Sequence, residues 1–294
     1  MNTKTVKPKQ HLLKRAKINR SHAGNFFVFV FIFVLGAFMA LPLVYAISNS
    51  FKPLEELWVF PPPLFPNQPT LENYTGLVSL MASSWVPMSR YLFNTVFITV
   101  VGTAGQVILG SMCAYPLAKH KFPGNQLIFR LIFFSLMFST AVTGIPSYLI
   151  MVQLGWVDTY LAIIIPAMGS SMSLYLMKQF MGQIPDALLE AARIDGAGEW
   201  RIFWRIVMPM VKPAWLTLIV FSVQNLWNMG SSNLIYSEQL KTLPYAISQI
   251  VSGGIARAGV SSAVMVVMMI VPLTVFIITQ SNILETMATS GVKE

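Results

Sequence analysis

The sequence predicts an all-α protein that crosses a lipid bilayer several times, and two observations predict it. Hydrophobic residues make up 55% of the 294 and charged residues only 11%, whereas an ordinary soluble domain carries about 25% charged residues. Uncharged apolar stretches recur along the chain, each long enough to supply the ~20 helical residues that span about 30 Å of hydrocarbon.

Six stretches qualify as spans: 21–51, 91–118, 131–157, 159–177, 213–237 and 258–284. The first holds fifteen Phe, Val, Ile and Leu residues between Asn25 and Ile47, so at about 0.5 kcal/mol each its insertion is favoured by roughly 7 kcal/mol before opposing terms. Val44, Tyr45 and Ala46 loosely resemble a signal-peptidase site, but the apolar region is too long for a cleaved leader, so a retained helix is expected. The fifth stretch is interrupted by Gln224, Asn225 and Asn228. The uncharged run from Leu57 to Leu71 is a loop, because Pro61, Pro62, Pro63, Pro66 and Pro69 forbid a continuous helix in lipid. After it, Asn67 to Ser84 suits a short interfacial helix with Leu71, Tyr74, Leu77, Val78 and Met81 on one side. The expected organisation is a basic tail 1–24, a transmembrane region 25–284 with its core over 91–284, a charged insert 182–212 and a tail 285–294.

Basic residues orient the chain. With the amino terminus inside, cytoplasmic segments hold sixteen Lys and Arg: seven in residues 1–20, then Lys119, Lys121, Arg130, Lys178, Arg193, Arg201, Arg205, Lys212 and Lys293. Outer segments hold Lys52, Arg90, Lys241 and Arg257. The positive-inside rule then puts both termini and the insert in the cytoplasm. Most of the net charge of +9 is the amino-terminal tail, which reads as a topology signal touching anionic lipid rather than a nucleic-acid arm.

Several chemistries are disfavoured. Cys113 is the lone cysteine, and His11, His22 and His120 fall in expected cytoplasmic segments, which leaves neither a disulfide framework nor a cysteine or histidine metal cluster. No Asp or Glu lies within a span, which counts against proton or sodium coupling by this chain. Without a G-x-x-x-x-G-K-[ST] phosphate loop the chain has no recognisable means of binding ATP. A membrane-embedded enzyme lacks paired carboxylates or a nucleophile with its base in any span. The sequon Asn73-Tyr74-Thr75 is discounted as a chance triplet.

The most informative segment is the insert, IPDALLEAARIDGAGEWRIFWRIVMPMVKP from Ile184 to Pro213. Its charges cost roughly 2.5 to 3.5 kcal/mol each at a bilayer centre, so it lies in water. Pro185 suits a first helical position, Asp186 and Glu190 lie near the amino end, Arg193 lies in the last turn, and Gly196 supplies the left-handed stop. Leu188, Ala191, Ala192 and Asp195 share one face. After the Asp195–Gly198 turn a second helix is expected, with Trp200, Phe203, Trp204 and Val207 as an apolar stripe and Pro209 as its end. Arg201 and Arg205 repel at i, i+4 unless an anionic group sits nearby. The segment reads either as a docking surface for a partner or as a hairpin lying on lipid headgroups.

At these residues the chain resembles the permease subunits of ABC importers. Their cytoplasmic signature is Glu-Ala-Ala, three residues, Gly, nine residues, Ile, one residue, Leu-Pro. Glu190, Ala191, Ala192, Gly196, Ile206 and Pro209 fit every spacing, with Met208 in place of Leu. The wording is most similar to the carbohydrate branch, as are Phe93 to Gly124, Leu154 to Pro166, Trp227-Asn228 and the closing Gly-Val-Lys-Glu. Ser290, Glu294 and the segment from Gly230 to Arg257 depart from it. The resemblance implies six helices in the MetI-like permease fold, the first peripheral to a core of five. It implies a second homologous permease, two cytoplasmic ATPase subunits that hold the ATP and magnesium, and an extracytoplasmic solute-binding protein. This chain itself would bind no cofactor. Coupling to the ATPase would rest on Glu190, Ala191, Ala192, Arg193, Asp195, Gly196, Ile206 and Pro209, in a bacterial cell membrane. A self-sufficient carrier or channel whose hairpin merely anchors it is the alternative from a different class.

For the solute, Asn94, Gln106, Gln153, Gln224, Asn225 and Asn228 offer amides that both donate and accept, while Tyr148 and Trp227 offer flat apolar faces. Together they suit a neutral polyhydroxylated solute such as a sugar or oligosaccharide. The same amides also serve as interhelical glue in membranes. Met265, Met268 and Met269 read as packing or lipid contacts.

Overall fold

The computed structural model describes residues 22–82, 86–230, 234–252, 254 and 257–290. The basic tail as far as residue 21 and the final Gly291–Glu294 lie outside the described residues. Among the described residues all regular structure is helical. In chain order the helices are α1 (His22–Ser50), α2 (Glu72–Ala82), α3 (Met88–Lys119), α4 (Asn125–Ser135), α5 (Thr140–Gln153), α6 (Leu161–Met168), α7 (Ser171–Gly182), α8 (Asp186–Ile194), α9 (Glu199–Ile202), α10 (Met208–Met210), α11 (Lys212–Trp227), α12 (Leu243–Val251) and α13 (Ala258–Ser290). The chain divides into two compact units, residues 1–45 and 46–294. In the first, every residue of α1 from Gly24 to Tyr45 is exposed in the isolated chain, as suits a helix whose Phe-rich surface meets lipid or another subunit.

Four helices are long and apolar enough to cross a membrane, Gly24–Ser50, Met88–Lys119, Leu161–Gly182 and Ala258–Ser281, and a fifth if Glu199–Trp227, bent by 75°, counts as one. Among the described residues, five of the six expected stretches thus hold a helix or bent pair of crossing length. The third stretch, read as one span over 131–157, is two helices: α4 stops at Ser135 and α5 restarts at Thr140, so its apolar part, Val142–Gln153, is too short by itself. Hydropathy does not register such a break, because Leu136–Ser139 is as apolar as its flanks. The fifth stretch ends at Trp227 rather than 237. There the Asn228 side chain turns back to donate to the Gln224 carbonyl at 2.8 Å, and a backbone cap of this kind closes a helix.

In the second unit α3 is the central element, packed against α6, α7 and α11, while α11 also packs on α13. Three clusters fill it. At the insert end lie Ala114, Tyr115, Met177, Met181, Ile184, Leu189, Ile202, Phe203, Val207 and Leu218. Ile98, Ile163, Ile164, Leu226 and Ile235 occupy the middle. Leu77, Met81, Tyr91, Leu243, Ile247 and Val264 close the opposite end. Close approach on α3 depends on glycine: a Cβ at Gly102 would lie 2.7 Å from Leu226 Cδ1, and one at Gly110 would overlap Ser173 Oγ.

The proline run contains a single helical turn, Glu56–Trp58, and is otherwise irregular. It wraps a buried Lys52, whose ammonium donates to Asn49 Oδ1 at 2.8 Å and to the Pro63 carbonyl. Asn73 is 7% exposed and donates to the Ser50 and Lys52 carbonyls, so the sequon is spent on structure. The short helix expected over 67–84 is α2, and Leu77 and Met81 bury while Leu71 and Val78 stay exposed.

Candidate functional site

The insert folds as its sequence dictates at the first helix. Pro185 precedes α8 in extended conformation, Asp186 occupies the first turn and Arg193 the last, each charge complementing the helix dipole. Gly196 ends it at φ 80°, with the Ala197 N–H reaching back to Ala192 O at 2.9 Å. A residue with a Cβ at that angle costs about 1–2 kcal/mol. Leu189, 2% exposed, pins α8 to the core cluster; burying such a side chain is worth about 1.5–3 kcal/mol. The rest of α8 is left open. Leu188, Glu190, Ala191, Arg193, Ile194 and Asp195 are exposed and Ala192 half-buried, and Ile194 reaches 86%. Glu190 and Asp195 have no ion-pair partner among the described residues.

Beyond the turn the expectation needs correction. The second helix is not a plain α-helix, because a π turn occupies Phe203–Val207 and the Met208 N–H bonds to Phe203 O. The wider turn rotates the stripe: Ile202, Phe203 and Val207 bury, while Trp200 and Trp204 are 64% and 43% exposed. Pro209 does not end the helix. It sits inside α10, and the chain bends at Val211 before α11 begins with Pro213 near its start. A proline there is tolerated because its missing N–H falls where the helix is already remade. Ile206 is half-buried, Pro209 is exposed, and Arg201 and Arg205 are both exposed without an ion pair among the described residues.

Side chains from the end of α3 hold the insert, and periodicity gave no signal of them. Lys119 Nζ lies 2.7 Å from Asp186 Oδ1 and also donates to the Ile184 carbonyl. The Lys119 side chain is 4% exposed and that of Asp186 75%. Tyr115 Oη donates to Glu199 Oε2 at 2.8 Å, Arg193 Nε donates to Glu199 Oε1 at 2.8 Å, and His120 Nε2 stands 3.7 Å from Glu199 Oε2. The hydrogen bond from Lys119, with its attraction, holds the Asp186 carboxyl below the usual range. The Glu199 bond raises the Arg193 guanidinium above its ordinary value.

The amide candidates separate into two groups. Asn94 is fully buried: its Nδ2 donates to the Gln239 and Lys241 carbonyls at 2.8 Å each, and Tyr160 donates to its Oδ1 at 2.7 Å. Trp227 is buried, its Nε1 donating to Met268 O at 3.0 Å. Gln106 is buried on α3, where its main-chain carbonyl accepts from Ser173 Oγ. The Asn94 and Trp227 side chains thus bind helices and loops together, and Gln106 does so through its main chain. Gln224 and Asn228 instead line a cavity of about 490 Å³ between α11 and α13, with Val220, Met265, Met268, Met269, Pro272, Leu273 and Phe276. Met265, Met268 and Met269, expected as packing or lipid contacts, share this lining with the two amides, and Met268 also packs against the cluster of Leu243 and Val264. Asn225 is exposed on α11 outside that lining, Gln153 is exposed at the end of α5, and Tyr148 Oη lies 3.3 Å from Tyr236 Oη.

Near Tyr236 the chain is held by Asp158. This residue takes φ 61°, and its Oδ1 accepts from the Tyr236 and Ser237 amides at 2.9 and 2.8 Å while its Oδ2 accepts from Ser237 Oγ. The Ser237 side chain, then its amide, holds the carboxyl below the ordinary value. Among the described residues no group of three His, Cys, Asp or Glu side chains is placed to hold a metal ion.

An open charged hairpin at one end of a bundle of apolar helices defines a membrane component. Residues 106–287 match the family described as binding-protein-dependent transport system inner membrane component. The chain belongs to that family. It is 38% identical over 202 residues to protein LplC of Bacillus subtilis, covering 69% of this chain and 66% of LplC. It is 31% identical to the polygalacturonan/rhamnogalacturonan transport system permease protein YtcP of the same organism, over 71% of each chain. The chain thus spans about two thirds of the length of these curated relatives. In fold it is similar to a chain of a bacterial ABC transporter involved in the import of the acidic polysaccharide alginate, with a TM-score of 0.74 and 24% identity over 89% of this chain and 98% of that one. The architecture is the all-helical permease fold of ABC importers.

Proposed function

We propose that this chain is a permease subunit of an ATP-driven ABC importer for a sugar or oligosaccharide, lining half of a translocation pathway in the bacterial cell membrane. It works with a second homologous permease, two cytoplasmic ATPase subunits that hold ATP and magnesium, and an extracytoplasmic solute-binding protein. Both termini and the insert lie in the cytoplasm, a placement supported by the distribution of Lys and Arg. The chain performs no catalysis and binds no cofactor itself.

The observation that carries this reading is the open face of α8: a short helix fixed from behind by Leu189 presents Leu188, Glu190, Ala191 and Ile194 with nothing among the described residues to cover them. A helix so placed is a plug for a groove on another protein. ATP drives the permease only if two states of the ATPase hold this plug differently, and a shift from 1:99 to 99:1 needs about 5.5 kcal/mol of differential binding. One exposed contact does not supply that, so Glu190, Ala191, Ala192, Arg193, Asp195 and Gly196 act as a unit, with Ile206 and Pro209 completing the support. For the solute, Gln224 and Asn228 face Met265, Met268, Met269 and Phe276 across the α11–α13 cavity. Amides on one side and apolar surface on the other match the hydroxyl edge and the C–H face of a sugar ring. YtcP, named for a saccharide substrate, supports the same class.

The test is reconstitution of the complex in vesicles with measurement of ATP hydrolysis and uptake. Glu190→Lys and Gly196→Pro are expected to leave the chain inserted and to disconnect hydrolysis from uptake, with co-purification of the ATPase showing whether assembly survives. Normal uptake in both variants, or uptake by the isolated chain without ATPase, refutes the proposal.

A further inference from the structure

The open face of α8 explains how a partner grips the insert but not how its movement reaches the membrane helices. The covalent links are weak levers. α7 passes into α8 through Gln183, Ile184 and Pro185, and α10 meets α11 at a 75° bend at Val211. Two side-chain contacts bridge the gap where the chain does not. At the start of the insert, Lys119 holds Asp186 and the Ile184 carbonyl; at its middle, Tyr115 holds Glu199, which also receives Arg193 from the end of α8. Tyr115 is 6% exposed and packs its ring on Phe203 at 5.6 Å and edge-on to His120 at 5.5 Å. Tyr115 and Lys119 are four residues apart on the last turns of α3, so they project from one face; Lys119 meets the start of α8, and Tyr115 meets Glu199 at the start of α9, through which it reaches Arg193 at the end of α8.

We propose that Tyr115 and Lys119 form a two-point clamp that makes α3 the output shaft of the insert, with Glu199 as the node joining the clamp to Arg193 on α8. These are positioning residues: none lines the α11–α13 cavity, and Glu199 meets the coupling unit of α8 only through Arg193. Leu189 alone leaves α8 free to pivot about its buried side chain, whereas bonds from α3 to Asp186 directly and to Arg193 through Glu199 remove that pivot, so a displacement of α8 moves α3 as well. α3 then carries the displacement to α6, α7 and α11, the helices packed along it. The clamp's chemistry suits reversible loading. Charge-assisted bonds hold direction and distance, while Asp186 and Glu199 stay open enough to solvent for the contacts to reform after each cycle.

This inference rests on the proposed ATP-driven import, and the experiment separates the two. In the reconstituted complex, ATP hydrolysed per solute imported is measured for the unaltered protein, Tyr115→Phe, Lys119→Met, Lys119→Arg and the pair Tyr115→Phe/Lys119→Met, with ATPase co-purification as the assembly readout. Tyr115→Phe keeps the ring packing and removes only the hydroxyl donor. The expected result is intact assembly and hydrolysis with the ratio raised about five-fold in Tyr115→Phe, as follows from losing one net hydrogen bond, and by more in Lys119→Met, which loses the bonds to Asp186 and the Ile184 carbonyl. The rise is expected to be larger in the pair and mostly reversed in Lys119→Arg, which retains a charged donor. An unchanged ratio in the pair overturns the clamp. So does a parallel loss of assembly, hydrolysis and uptake, which marks a purely structural role. If the unaltered complex imports without ATP, the proposed function itself falls and the clamp falls with it.

Discussion

Gly110 gives a test of the packing that makes α3 central. An alanine methyl there would overlap Ser173 Oγ and stand 3.1 Å from Ser173 Cβ. Ser173 is fully buried on α7, and its hydroxyl donates to the Gln106 carbonyl at 3.0 Å. Rotating the hydroxyl away relieves the first clash, breaks that bond and leaves the second. Overpacking of this kind costs about 1–3 kcal/mol and the lost hydrogen bond about 1 kcal/mol more, so Gly110→Ala is expected to destabilise by about 2–4 kcal/mol. In the purified chain that is a fall of roughly 5–15 °C in unfolding temperature. Gly144→Ala is the control: its Cβ meets nothing within 4 Å, and Gly to Ala inside a helix is mildly favourable. Removing the obstacle with Ser173→Gly should make the double variant more stable than the sum of the two single effects. Gly110→Ala indistinguishable from Gly144→Ala, or strict additivity with Ser173→Gly, would refute the reasoning.

Asn94→Leu is expected to free the segment around Lys241, because it leaves the Lys241 carbonyl and the Tyr160 hydroxyl without their Asn94 partner and the Gln239 carbonyl with only the 3.3 Å bond from Arg90 Nε. At about 1–3 kcal/mol per unsatisfied buried group, trypsin cleavage after Lys241 should accelerate at least tenfold, and unchanged cleavage would contradict the assignment. Asp158 predicts a pH dependence. Its carboxyl is depressed below the ordinary 3.8 by Ser237 and Tyr236, so the stability it lends is complete above that value and is lost as pH falls through the still lower folded value. Hydrogen exchange at the Tyr236 and Ser237 amides should therefore stay slow from pH 7 to about 4 after correction for intrinsic rates, and rise only in stronger acid. Asp158→Gly, which tolerates φ 61°, should lose the protection at every pH.

What was legible in the sequence was what a single residue or a charge decides locally. The left-handed Gly196, the acidic start and basic finish of α8, and the proline run as a loop all depend on a few neighbouring residues, and the structure has each of them. Relations across space were not legible. Hydropathy could not register the interruption between α4 and α5, since the linking residues are themselves apolar. A 3.6-residue period placed Trp200 and Trp204 with Phe203, but a π turn changes the period and sends both tryptophans outward. Asn94, Trp227, Gln224 and Asn228 are equivalent by composition; only the tertiary structure divides them into two that close helix contacts and two that line a cavity. Tyr115 and Lys119 gave no signal at all, because a tyrosine and a lysine at the end of a span read as interface anchors until their partners are seen.

The geometry also bears on how movement would spread, if the insert is driven as proposed. The insert is joined to the bundle at three helices: through the chain to α7, through the bend at Val211 to α11, and through Tyr115 and Lys119 to α3. A body attached at three separated points cannot rotate against one support without loading the others. α3 is a helix of 32 residues, about 48 Å at 1.5 Å per residue, and Asn94 near its far end ties the segment around Lys241. Displacement entering at Lys119 would therefore reach that segment along one continuous rod. The α11–α13 cavity lies beside this path, walled by α11, which α3 grips at Gly102 through Leu226 and at Thr103 through Ser222. Opening that cavity then requires α13 to lag behind α11. The Trp227 hydrogen bond to the Met268 carbonyl is the contact that resists such a lag, and the α11–α13 seam opens only when it breaks.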